Sequence, residues 1–378
     1  MEQLVNDEFV IRPFQEKDLP LFKQLIKTSW NENHVLLKSE ELMMWQYRGF
    51  GSKEGMHFPS LFDSQGNMIG FRGVFPVEIN LPQSDGVKTT TMAVGSLYLV
   101  IPEHRGKKLG LALQQFTQQY YGNYMAIGSN LGTSAPIYRK SGYLMLDQMN
   151  RYLVPFNSSY DKLLVDNNKD FVKHIWNDDC EEATPMNMTS AELSSIWNNS
   201  PCSKLLSINK SESFWGWRYL NHPIYKYYFF GGKDQGGIVV GRICSFYDNQ
   251  GKLLDSKLFR ILEIIPSENF SSLSNDNSKL RILLKQVLKW AKSQGCVGAE
   301  TYMTSKRYND LLTNCGMALL SDENQELNII SNYEPITKSP KLTNVSIYIG
   351  EENAVNDFDD IYMSLADSDQ DRPNIVDK

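Results

Sequence analysis

The sequence is poor in several features that would assign it quickly. Its five cysteines, in 378 residues, are scattered, odd in number and form no C-x-x-C pair. Such spacing excludes a disulfide framework and a zinc-ligand set, and it suits a reducing cytoplasm. No apolar run approaches the roughly 18 residues of a membrane span. The start, Met1-Glu2-Gln3-Leu4-Val5-Asn6-Asp7-Glu8, is acidic and has no apolar segment of the secretory kind. A formal charge of −6 gives none of the basic excess that nucleic-acid backbones attract. These absences predict a soluble, cytoplasmic protein without nucleic-acid, membrane or metal partners.

What is present is ordinary globular material, 41% hydrophobic and 22% charged, in a chain long enough for two domains. Residues 9–14 read as a strand. Apolar positions Leu19, Phe22, Leu25 and Ile26 then recur at helical spacing as far as Trp30. A second helix is expected over 39–47, with Ser39 as its N-cap. Strands are expected over 58–63, 67–75 and 89–100, a helix from Leu109, a strand over 124–128 and a short helix over 135–140. The order is mixed α/β.

The pattern then restarts. Ser39-Glu40-x-x-x-x-Trp45-x-Tyr47 returns as Ser211-Glu212-x-x-x-x-Trp217-x-Tyr219, and Gly70 and Gly241 follow at nearly equal distances. A strand (258–265), a long helix (278–293), a strand (297–303) and a short helix ending at Gly316 repeat the element order of the first half. The polar stretch 157–182 reads as a connection. The expected division is therefore a first domain over 1–156 and a second over 183–378.

The chemistry concentrates in Val100-Ile101-Pro102-Glu103-His104-Arg105-Gly106-Lys107-Lys108-Leu109-Gly110-Leu111. A strand ends, a glycine-containing loop follows, and an apolar-periodic helix begins. First-turn amides lack partners within the helix and point out of its positive end, which makes a receptor for a diphosphate.

On these residues the chain resembles the GNAT superfamily of N-acetyltransferases, whose loop reads Arg/Gln-x-x-Gly-x-Gly/Ala after a Val-x-Pro strand. Lys108 stands where the family has its middle glycine, and a side chain is accommodated there if its backbone angles stay negative. The likeness continues at Ala135-Pro136-Ile137-Tyr138-Arg139-Lys140-Ser141-Gly142-Tyr143. It implies two tandem units, each a central, mostly antiparallel sheet flanked by helices. It also implies acetyl-coenzyme A bound by Arg105, Gly106, Lys107, Lys108, Leu109, Gly110 and Leu111. The amides of Leu99 and Val100 would polarise the thioester, and Tyr138 would protonate the leaving thiolate.

A base for the amine is not evident, with His34, Glu32, His104 or a water chain all open. Acceptor contacts are expected from His34, Tyr98, Trp217, Arg218 and Tyr219. The second copy has Pro266-Ser267-Glu268-Asn269-Phe270 where the phosphate loop would fall, so it is expected to bind no coenzyme and to wall off the acceptor. The acidic tail Asp367-x-Asp369-x-Asp371 either holds an acceptor or is solvated. It resembles the ending of proteins of surface-polysaccharide assembly, which implies a nucleotide-linked amino sugar (UDP- or dTDP-) as acceptor. Other small or protein amines, a Fem-like aminoacyl transfer and a coenzyme-binding sensor are the alternatives.

Overall fold

The computed structural model describes residues 3–6, 8–49, 56, 58–166, 168–247, 252–273, 275, 278–330, 343–350, 355 and 357–371. Strands β1 (Gln3–Asn6) and β2 (Phe9–Pro13) pair antiparallel. Helix α1 (Leu19–Ser29) accepts a proline in its first turn, where no N–H is needed, and buries Phe22, Leu25 and Ile26. Two short helices follow on side-chain caps. His34 Nδ1 accepts from the Leu36 N–H ahead of α2 (Val35–Lys38), and Ser39 Oγ from the Leu42 N–H ahead of α3 (Glu40–Arg48).

A meander of β3 (Pro59–Asp63), β4 (Met68–Gln83) and β5 (Gly86–Val100) leads into α4 (Leu109–Tyr121), β6 (Tyr124–Ile127), α5 (Ser134–Lys140), β7 (Leu144–Leu146) and β8 (Asn150–Pro155). The second half runs through α6 (Ser190–Asn199), β9 (Leu206–Ile208), α7 (Glu212–Trp215), β10 (Tyr228–Gly232), β11 (Gly237–Tyr247) and β12 (Leu253–Pro266). It continues with α8 (Lys279–Ser293), β13 (Cys296–Met303), α9 (Asn309–Asn314), β14 (Ala318–Leu319), β15 (Val345–Tyr348) and β16 (Ile361–Tyr362).

Among the described residues these strands form two mixed sheets. The first runs β1-β2-β3-β4-β5-β6-β15-β7, with β9 added at the far end of β4 and β16 beside β9. The second runs β10-β11-β12-β13-β8-β14. Helices cover both, so the expected class, mixed α/β with two sheet-and-helix layers, is the observed one.

The halves exchange strands, which the division at residue 156 does not anticipate. Strand β8 closes the first segment in sequence but pairs with β13 and β14 of the second sheet. Strand β15 enters the first sheet between β6 and β7. Apolar strands of this kind satisfy either sheet, and pairing across so many residues leaves no local signal. The stretch 157–182 is likewise more than a connection, because Tyr160, Leu163, Phe171 and Trp176 are buried and the Trp176 indole donates to the Cys315 carbonyl.

The repeated string opens a helix with the same serine cap in both places, but the first continues as α-helix through Tyr47 while the second passes into a π-helix over Gly216–Leu220. Ser211 Oγ accepts from the Phe214 N–H at α7, as Ser39 Oγ does from Leu42 at α3. A Cβ at Gly70 would come within 2.8 Å of the Leu99 carbonyl, and one at Gly241 within 2.7 Å of the Arg260 carbonyl, so both glycines admit a neighbouring strand. The central parallel pairs correspond too, β5 with β6 and β12 with β13.

Candidate active site

Strands β5 and β6 are hydrogen-bonded partners only from Ala93 to Gly95, against Tyr124 to Ala126. Beyond Gly95 they part, while β5 stays with β4 as far as Val100. A Cβ at Gly95 would lie 1.9 Å from Tyr124 Oη and 2.3 Å from Arg72 Nη2, so a glycine is required where these side chains fill the fork. The fork opens into a cleft of about 1660 Å³, bounded by β5 residues 96–100, the 128–134 turn, α5 and the start of α4.

The loop from β5 to α4 supplies the outer wall. Gly106 has φ 85° and Lys108 has φ 60°, ψ 13°, so Lys108 takes the left-handed conformation rather than the negative angles that accommodate a side chain. For a side-chain-bearing residue that costs roughly 1–2 kcal/mol. Left-handed backbone at such positions is what anion-binding nests use. Among the described residues, none accepts a hydrogen bond from the N–H groups of 106–111. Arg105, Gly106, Lys108, Leu109, Gly110 and Leu111 all face the cleft. Lys107 does not; its Nζ lies 3.4 Å from His104 Nδ1 and 5.1 Å above the Phe9 ring.

Tyr98, expected to contact an acceptor, braces this wall. Its hydroxyl donates to the Gly110 carbonyl, and a Cβ at Gly110 would stand 3.1 Å from that hydroxyl. Strand alternation separates the two expected amides. Ile101 N–H bonds the Ile69 carbonyl and the Val100 carbonyl accepts from Arg105 Nε at 3.2 Å, so Val100 turns its N–H to the cleft while Leu99 turns its own toward β4.

Tyr138, on α5, reaches the fork from the other side and is 1% exposed. Arg72 Nη2 donates to its oxygen at 2.5 Å, and Tyr124 Oη lies 3.2 Å away. Burial pushes the Tyr138 phenol above the ordinary tyrosine value, and the Arg72 charge and hydrogen bond pull it back.

Neither a family model nor any curated protein matches the sequence. Solved structures do. Saccharomyces cerevisiae N-myristoyltransferase with bound myristoyl-CoA aligns at TM-score 0.57 and 12% identity, over 95% of this chain and 84% of that one. A conserved protein of unknown function from Enterococcus faecalis V583, described as a probable N-acyltransferase, aligns at TM-score 0.51 and 12% identity, over 93% and 73%. The chain shares the fold of these structures.

Within this fold the residues expected to hold an acceptor or act as its base are dispersed. His34 is fully buried as the cap of α2, Glu32 is exposed, and neither lines the cleft; His104 does, beside the loop. Arg218 is 3% exposed and donates to the Ala366 carbonyl, the Tyr227 hydroxyl and Asp371. Tyr219 is buried with its hydroxyl on Glu263, and Trp217 stacks on Trp45. Aromatic side chains with polar tips serve a buried hydrogen-bonded network as well as a binding surface, and here they serve the former.

The acidic tail also resolves. Asp367 pairs with Lys210 at 2.7 Å, and Asp371 with Arg242 at 2.6 Å, all of them buried. Neither is solvated. Asp369, between them, is 6% exposed and lines the cleft with Gln370, whose Nε2 donates to the Ile127 carbonyl at 3.1 Å. No other carboxylate lines the cleft among the described residues. Also among the described residues, no cluster of His, Cys, Asp and Glu is arranged to hold a metal, and no helix is long and apolar enough to cross a membrane.

In the second half, among the described residues, the ground at the end of β12 is filled. The Ile264 N–H donates to Tyr362 Oη and its carbonyl accepts from Tyr308 Oη, so two tyrosines occupy the equivalent ground.

Proposed function

We propose that this chain is an acetyl-coenzyme A-dependent N-acetyltransferase of the cytoplasm. Its acceptor is the amino group of a nucleotide-linked amino sugar, in surface-glycan assembly. One observation carries the donor half. Gly106 and residues 108–111, whose amides are unpartnered among the described residues, line a cleft that runs inward to Tyr138. A diphosphate satisfies those amides at the positive end of α4, and the thioester then lies between the Val100 N–H and the Tyr138 hydroxyl.

A short acyl group suits the inner cleft. The buried Arg72 guanidinium and the Tyr98 and Tyr138 hydroxyls line it, and a long alkyl chain would desolvate them without return. This separates the chain from its myristoyl-CoA-bound neighbour. A cleft of 1660 Å³ exceeds the roughly 300–1,000 Å³ of a single small-ligand site, which leaves room for an acceptor beside the donor. The sugar itself is supported by the sequence resemblance and not by the half-buried Trp217 or the buried Arg218 and Tyr219.

In the reaction the amine attacks the thioester carbon, Asp369 takes the amine proton, the C–S bond breaks and Tyr138 protonates the sulfur. The test is thiol release, followed with a chromogenic disulfide, from acetyl-CoA or myristoyl-CoA against UDP- and dTDP-amino sugars. Release from acetyl-CoA with one sugar is expected. Calorimetry that finds no coenzyme A binding would sink the proposal, and turnover with myristoyl-CoA alone would replace its donor.

A further inference from the structure

Five arginines in the described structure are fully buried, and four of them have carboxylate partners. Arg151 and Arg260 pair with Glu300, Arg218 and Arg242 with Asp371. Arg72 is the fifth, 1% exposed, and no carboxylate pairs with it among the described residues. Its guanidinium donates to the carbonyls of Ser96 at 3.1 Å and Leu97 at 3.4 Å and to Tyr138 Oη, while its Nε finds no partner. It lies 4.7 Å from the Tyr98 ring centroid, 5.0 Å from that of Tyr124 and 5.8 Å from that of Tyr138.

An unpaired buried charge is expensive to keep, and the fold gives up a side chain at Gly95 to accommodate it. Tyr98, Tyr124 and Tyr143 also face Tyr138, and all are neutral phenols at ordinary pH. Arg72 is the charge that bears on the phenol.

We propose that Arg72 is a positioning residue acting through Tyr138, holding the phenol toward the cleft and stabilising the phenolate left once its proton has gone to the departing sulfur. The step balances. As the C–S bond breaks the sulfur keeps the electron pair, the Tyr138 O–H proton moves to it, and solvent restores the phenol. The same charge stabilises a bound thiolate, so coenzyme A binds with its thiol more readily ionised than in water.

The inference rests on the acetyl-transfer proposal, and a binding measurement tests it without an acceptor. Coenzyme A and acetyl-CoA are titrated calorimetrically from pH 6.5 to 9.5 into wild type, R72M and R72K. In wild type, coenzyme A should tighten relative to acetyl-CoA by about tenfold for each unit of thiol pKa depression. R72M should remove that trend and R72K should keep most of it. With an acceptor in hand, R72M and Y138F should each slow turnover by about 10²-fold or more, and the double variant no further than the slower single.

A pH-independent ratio in wild type, an unchanged trend in R72M, or turnover losses that multiply would overturn the inference. Should R72M fail to fold, a flat ratio in R72K does so. Absence of binding by either coenzyme would instead defeat the acetyl-transfer proposal itself.

Discussion

Trp45 and Trp217 stack across the junction of the two halves, ring centroids 4.9 Å apart and planes 21° from parallel. Each indole N–H donates to the other's backbone carbonyl, at 3.0 and 3.1 Å. The two hold matching places in the repeated string, so the contact is a local two-fold built from one motif used twice.

Replacing either tryptophan by alanine should cost about 2–4 kcal/mol, toward the low end of large-to-small aromatic losses because both rings are half-buried. The second replacement should cost less than the first by about 1 kcal/mol, since stacking and reciprocal bonds are already gone. Denaturant unfolding of W45A, W217A and the double variant measures this, and strictly additive losses would deny the coupling.

Lys108 is the single non-glycine residue at positive φ among the described residues. K108G should therefore raise stability, by about 1 kcal/mol, because it removes the steric cost of the left-handed conformation. Thermal unfolding shows the gain. Calorimetry with acetyl-CoA should show at most a modest loss of affinity, the amides staying in place and one exposed charge departing.

Asp369 is held between two buried anchors, Asp367 on Lys210 and Asp371 among arginines. D369N should lower turnover by about 10²-fold or more while acetyl-CoA binding stays unchanged, the mark of a lost base. A normal rate in D369N would move the proton to water.

His222 titrates in the acid range of stability. Burial first, and then the Arg218 charge, hold its pKa at about 2, below the usual 6.5, and its Nδ1 accepts from both the Ile224 and Tyr225 N–H groups. The folded form excludes a proton that the unfolded form takes up. Its contribution is complete above pH 6.5 and declines as pH falls from there toward 2, by up to about 1.4 kcal/mol per unit. Between pH 6.5 and 5 the wild-type melting temperature should fall more steeply than that of H222N, whose amide oxygen can accept the same bonds without titrating.

Much of the fold was legible in the chain. Apolar periodicity located α1 and α4, the capping Ser39 marked α3, and the repeated string and element order marked α7 and α8. The loop before α4 and Tyr138 were readable because their spacing is local. Strand exchange was not, since the partner of β8 lies in β13 and nothing near Asn150 records it. Arg72 escaped for a related reason, and Asp369 was legible only as one acid of a tail that either holds an acceptor or is solvated. A charged residue in sequence is normally a solvated one, and only the packed structure shows these two inside the cleft. Trp217, Arg218 and Tyr219 were misplaced by the converse, their polar tips being spent on buried partners.

The placement of β15 governs the order in which this molecule can be completed. Strand β6, which flanks the cleft, receives its outer neighbour only from Val345–Tyr348, and Asp369 arrives later still. During synthesis the phosphate loop emerges early, yet the ground between β6 and β7 stays empty until almost the whole described chain has left the ribosome. A truncated chain ending before β15 leaves β6 with an unpaired edge, a template for aggregation, so shortened fragments should be captured by chaperones and proteases before they bind any donor.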